Sequence, residues 1–209
     1  MLEKEKLAEF HLDRATLLVA IIFGIIRISN RGINDEILYK AAVFLMTLIL
    51  AYISMKNWQF IPKTNWVWFR VGLLSCLVIF PLAFVEMFNQ GKYDITLLKV
   101  PVWVDILRGL LTNLAFTTPI EEIVFRGMLW GYLRRFGCSE NAAFWVQSGL
   151  FWGLHLWQIG FPISFFITIP LSILVMGLLT KYSKQLFPSL TYHTFQNAMI
   201  PALVYLLKR

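Results

Sequence analysis

The chain has 209 residues, 58% hydrophobic and 15% charged, with 19 Lys and Arg against 12 Asp and Glu for a formal net charge of +7. Ordinary soluble domains carry about 25% charged residues, so the composition excludes one and predicts an all-α, polytopic integral membrane protein. The positive balance does not point to nucleic acid. Lys56, Lys63, Arg134, Arg135, Lys181 and Lys184 are scattered at the edges of apolar stretches, where basic residues set topology and meet anionic headgroups.

A membrane span needs about 20 mainly apolar residues. In chain order, the candidates are Leu12 to Ile28, Ile37 to Met55, Val67 to Phe88, Val102 to Leu133, Ala142 to Trp157, Phe161 to Tyr182 and Leu186 to Leu207. This predicts about seven transmembrane helices in one domain, residues 1–209, with front helices over 1–101 and a polar-motif half over 102–209. The first candidate is short and interrupted by Gly24 and Arg27, and it follows a charged segment, Met1 to Arg14, without a small-residue cleavage site. It is therefore expected to be a retained span and not a removed signal peptide. His11 within that segment is expected to be solvated. Trp58, Trp66, Trp68, Trp103, Trp130 and Trp157 fall near span ends, as an aromatic belt would place them.

If the amino terminus is cytoplasmic, the loops holding the six basic residues share its side and Gln158 to Pro162 lies opposite. The polar segment Asn89 to Asp94 separates the front helices from the rest. Glu86, near the end of the third span, is expected to reach a headgroup region. Cys76 and Cys138 lack metal-ligand spacing and read as small core residues. Gly127 and Gly131 have the spacing that allows close helix packing.

The run Pro119-Ile120-Glu121-Glu122-Ile123-Val124-Phe125-Arg126-Gly127 sets three ionisable groups in apolar sequence. Each would cost at least about 2.5 kcal/mol at a bilayer centre, so they need a use or a partner. Pro119 either kinks the long fourth candidate or starts a new helix in it, with Thr118 as N-cap and Glu121 in the first turn; either way the glutamates sit at a discontinuity. Irregular backbone at membrane depth survives where it lines a cavity or is packed in protein, which predicts a polar chamber here. A helix advances roughly 100° per residue, so Glu122 and Arg126 share a face and Glu121 points away. Pairing with a guanidinium suits Glu122 to a supporting role and leaves Glu121 free for substrate. On the last span His193 and Asn197 are four apart and project from one face, two donors suited to a developing oxyanion.

Glu-Glu-x-x-x-Arg at Glu121 to Arg126, then Phe-x-x-x-His at Phe151 to His155, then His-x-x-x-Asn at His193 to Asn197 form an ordered set. The set resembles the CAAX prenyl protease and bacteriocin-processing family of intramembrane proteases, over about Pro119 to Pro201. The resemblance implies that Glu121 and His155 orient and deprotonate a water, that His193 and Asn197 hold the scissile carbonyl, and that Glu122 and Arg126 support them. It implies no Ser, Cys or Thr nucleophile. A zinc ion on Glu121, His155 and His193 is the alternative, but no His-Glu-x-x-His motif is present and the family is described as glutamate-type, so a metal-free, cofactor-free site is favoured.

The expected function is hydrolysis of a peptide bond in a membrane-associated peptide or protein, in a multi-pass protein of a bacterial inner membrane. The role is in bacteriocin or signal-peptide maturation or self-immunity. The alternatives are a CAAX-type prenyl-protein endopeptidase, a non-catalytic immunity or scaffold protein, and a proton-coupled transporter, disfavoured because no inverted repeat is apparent.

Overall fold

The computed structural model describes residues 9–29, 45, 48–49, 51–52, 55–89, 101–116 and 118–208. The expected second span, Ile37 to Met55, and the polar segment after Asn89 lie largely outside them. The architecture is all-helical, with no strand among the described residues. In chain order the helices are α1 (Arg14–Ser29), α2 (Trp66–Ser75), α3 (Ile79–Glu86), α4 (Val102–Phe116), α5 (Thr118–Glu121), α6 (Trp130–Arg135), α7 (Glu140–Gly153), α8 (Ile169–Ser183) and α9 (Phe187–Leu207).

A 3₁₀ turn joins α2 to α3, and π-helical turns over Glu122–Leu129 and Ser164–Thr168 lead into α6 and α8. Two of the resulting runs, Trp66–Glu86 and Ser164–Ser183, are long and apolar enough to cross a membrane, and Arg14–Ile26 is a shorter apolar helix. Leu74, Leu77, Phe80 and Phe84 point outward from α2 and α3, a surface that suits lipid far better than water.

The last helix, α9, is the hub, packing against α2, α3, α4 and α8. Its sequence is apolar on all sides with small and polar residues interleaved, so it is buried almost throughout. Ile79, Leu82, Ile173, Met176, Tyr192 and Val204 form the main apolar core around it. Close approach at the α9 start depends on Gly72, where a Cβ would lie 2.8 Å from the Pro188 carbonyl oxygen. Pro188 suits the first turn of α9 because its missing N–H has no helical partner to lose.

One end of the bundle gathers the basic loops. Lys184 pairs with Glu140 at 2.7 Å, Arg135 with Glu9 at 2.8 Å, and Gln185 bonds the backbone of Lys63 and Asn65. Two expectations at this end are corrected. His11 is buried and not solvated: its ring stands edge-on to Trp130 with centroids 5.3 Å apart. Trp130 is itself fully buried against Phe144, so it anchors a helix contact and not an interface, whereas Trp66, Trp103 and Trp157 are exposed as a belt would be. Gly127 and Gly131 do allow close packing, of Phe10 in the amino-terminal segment: a Cβ on Gly131 would meet the Phe10 ring at 2.6 Å. Both cysteines are free and partly buried.

Candidate active site

The site is built around Pro119, which cannot donate to the preceding turn. Helix is described up to Phe116 and again from Thr118. The Thr118 hydroxyl does not act as an N-cap as expected. It donates to the Asn113 carbonyl at 2.8 Å and meets the Thr194 hydroxyl of α9 at 3.2 Å. The discontinuity beside the two glutamates is a change of winding, with Glu122 opening the π-helical run to Leu129. Wider π winding is characteristic of functional sites.

Glu122 and Arg126 pair as expected, at 3.1 Å and with no exposure of either side chain. The carboxylate does more than neutralise the cation. Its Oε1 also lies 2.8 Å from His193 Nδ1, and its Oε2 accepts from Ser189 Oγ at 2.6 Å. Thr180 on α8 donates to Ser189 at 3.1 Å and extends the chain. A carboxylate only accepts, so His193 Nδ1 carries a hydrogen. The other ring nitrogen, Nε2, lies 3.6 Å from Glu121, which is partly exposed. To donate to an oxyanion Nε2 must carry the second proton; in the neutral ring it presents a lone pair.

Phe151, the aromatic of the second motif, touches three of the site groups. Its ring stacks under the Arg126 guanidinium at 4.0 Å and stands edge-on to His155 at 5.0 Å and His193 at 6.0 Å. His155 follows the end of α7, and its Nδ1 donates to the Phe151 carbonyl at 2.8 Å. That fixes the neutral tautomer with the lone pair on Nε2, the form a general base needs. Asn197 donates one amide hydrogen to Asn113 Oδ1 at 3.2 Å and keeps a second.

A cavity of about 190 Å³ is walled by His155, His193, Asn197 and Phe151 together with Gln158, Thr168, Ser172, Gln196 and Glu86. Glu121 borders His193 and is not part of that wall. The structure thus brings together Glu121, Glu122, Arg126 and His193 by direct contact, and joins His155 and Asn197 to them through Phe151 and the cavity. Among the described residues no three His, Cys, Asp or Glu side chains gather as metal ligands would, Glu121, His155 and His193 included.

Glu86 corrects another expectation. It is buried, accepts from Ser164 at 2.7 and 2.9 Å and from Asn89, and lines the cavity instead of reaching a headgroup region. Ser189, Thr180 and Asn113 were not singled out in the sequence. Ser189 lies one helical turn before His193, the one local signal that could have suggested it.

Residues 103–199 match the family model described as Type II CAAX prenyl endopeptidase Rce1-like. No curated protein and no solved structure matches the chain. The match spans all three motifs from Glu121 to Asn197 but not the front helices, and members of the family are membrane proteases. Over residues 103–199, α4 to most of α9, the chain is therefore similar to the Rce1-like type II CAAX prenyl endopeptidase family.

Proposed function

We propose that the protein is a multi-pass, intramembrane endopeptidase in which Glu121 and His155 activate water. His193 and Asn197 stabilise the oxyanion, and Glu122 with Arg126 fixes His193. The observation that carries this reading is the His193 imidazole, held at one nitrogen by buried Glu122 and facing Glu121 with the other, at the wall of a cavity shared with His155 and Asn197. Water delivered there attacks the peptide carbonyl, its proton passes to the Glu121 and His155 pair, and the same pair returns it to the leaving amine.

The substrate we favour is a membrane-associated peptide of a bacterial inner membrane, such as a leader or bacteriocin precursor. A cavity of 190 Å³ is little larger than the roughly 150 Å³ that holds benzene, and its wall mixes polar groups with Ile169, Ile173, Met176 and Ile200. That suits a peptide bond with a short side chain. The family match favours a second reading, a CAAX-type tail whose lipid stays in the bilayer.

Comparative proteomics of membrane and secreted peptides from cells carrying wild type or Glu121→Gln tests the proposal. The carboxamide keeps the shape and cannot take a proton. Cleavage products are expected with wild type only, and their sequences separate the two substrate readings. Purified Glu121→Gln that cleaves at the wild-type rate sinks the mechanism, and identical peptidomes favour a non-catalytic immunity protein.

A further inference from the structure

The site helix α9 begins without a cap of its own. Leu186 at the N-cap position has no polar side chain, and Pro188 has no N–H. A helix start leaves its first N–H groups without intrahelical partners, and buried ones must find acceptors elsewhere. Here they find Asp13, which is 173 and 174 residues away in sequence. Its Oδ1 accepts from Leu186 N at 3.2 Å and from Phe187 N at 3.1 Å. The His11 carbonyl shares the Leu186 N–H at 3.0 Å.

Asp13 is itself fully buried and tightly held. Thr16 donates to Oδ1 at 2.7 Å and the Thr64 hydroxyl donates to Oδ2. Arg14 ties the same segment to the Ile61 and Trp58 carbonyls, at 3.1 Å each. The residue before α9 is gripped from the same side, since the Gln185 side chain bonds Asn65 N at 2.7 Å and Lys63 O at 3.0 Å. The groups that grip the helix start, from Asp13 to Asn65, lie outside the stretch that matches the family, while Gln185, Leu186 and Phe187 lie within it.

We infer that Asp13 is a positioning residue for the proposed peptidase: it caps the site helix in trans and sets the height and rotation at which α9 presents Ser189, His193 and Asn197. The argument rests on the function proposed above. Ser189 is one turn past the cap, His193 a further turn, and Asn197 about 16 Å from it along the axis. Their partners, Glu121, Glu122 and Asn113, are on other elements. A slide or twist of α9 therefore moves every α9 contribution relative to the glutamates at once. A misplacement of about 1 Å can cost roughly 10²-fold in rate. Asn at position 13 keeps a carbonyl oxygen for the helix donors; Ala keeps none.

The test uses the full chain purified in detergent, with Asp13→Ala, Asp13→Asn and, should the alanine variant not fold, Thr64→Val. Two readouts are taken below the melting temperature: hydrogen exchange of the 186–193 amides, and kcat and KM on a fluorogenic peptide taken from a wild-type cleavage product. Asp13→Ala is expected to expose the Leu186 and Phe187 amides and to lower kcat about 10- to 100-fold, with KM within about twofold. Asp13→Asn is expected to restore most of both. Thr64→Val is expected to act in the same direction, more weakly. Unchanged exchange and kcat in Asp13→Ala, or in Thr64→Val where it stands in, overturn the inference, as does damage from Asn equal to that from Ala. If wild type cleaves no peptide, the endopeptidase reading fails by itself, and the exchange pattern still decides whether Asp13 caps α9.

Discussion

Glu122 accepts from Arg126, Ser189 and His193 while fully buried, and those partners make it the residue whose loss is felt twice. Glu122→Gln leaves the Arg126 guanidinium buried without a counter-charge, at a cost of about 3 kcal/mol or more. It also leaves one acceptor oxygen where His193 and Ser189 used two, since the carboxamide puts an NH2 in place of the other. We expect a lower melting temperature in detergent together with lower activity; a variant with both unchanged would refute the pairing. Ser189→Ala removes one neutral donor and is expected to be milder, about 1 kcal/mol in stability, with a shifted pH–rate profile because His193 sits less firmly. His193→Ala and Asn197→Ala remove proposed oxyanion donors. Each is expected to lower kcat by roughly 10² to 10³ with little change in KM, and a rise in KM at constant kcat would reassign them to substrate binding.

Residues 9–13 of the amino-terminal segment act as an element in their own right although they are not helical. Phe10 fills the space left by Gly131, and His11, at φ 53° in the left-handed region, turns its ring against Trp130. Burial, with nearby Lys184 acting in the same direction, lowers the His11 pKa from 6.5 to about 4. The unfolded chain thus takes up a proton near pH 6.5 that the folded chain refuses until about pH 4. Stability contributed by neutral His11 is complete above pH 6.5 and is lost as the pH falls toward 4. The full loss is about 3 kcal/mol. Denaturation in detergent at pH 7.5 and pH 4.5 should therefore show a drop that His11→Phe reduces. An equal drop in both proteins would place the acid sensitivity elsewhere.

At the scale of the whole molecule the open chemical choice is between a carboxylate that acts as base and one that acts as metal ligand. We expect the metal-free mechanism, so prolonged 1,10-phenanthroline should leave peptidase activity intact. The pH profile should then report the macroscopic values of an interacting Glu and His pair. Elemental analysis showing stoichiometric zinc, with activity lost on chelation and recovered on zinc addition, would replace that mechanism and leave the proteolytic function standing.

Composition and the three spaced motifs determined the helical class, the family resemblance and the Glu122–Arg126 pair, because each rests on local information: hydropathy along the chain, and residues four apart that are neighbours on a helix. The missing donor at Pro119 was legible for the same reason, since proline removes its own N–H wherever it stands. Long-range contacts were not. Asp13 reaches the start of α9, Ser189 and Thr180 extend Glu122 to a third helix, and Glu86 turns inward to Ser164. His11 and Trp130 looked like surface residues because polar or amphipathic side chains near span ends usually are. Only tertiary packing, which folds the amino-terminal segment over Gly127 and Gly131, decides that these two are buried. It also decides that His193, and not His155, lies between the two glutamates, because the side chains that meet in three dimensions come from helices whose relative rotation no local pattern encodes.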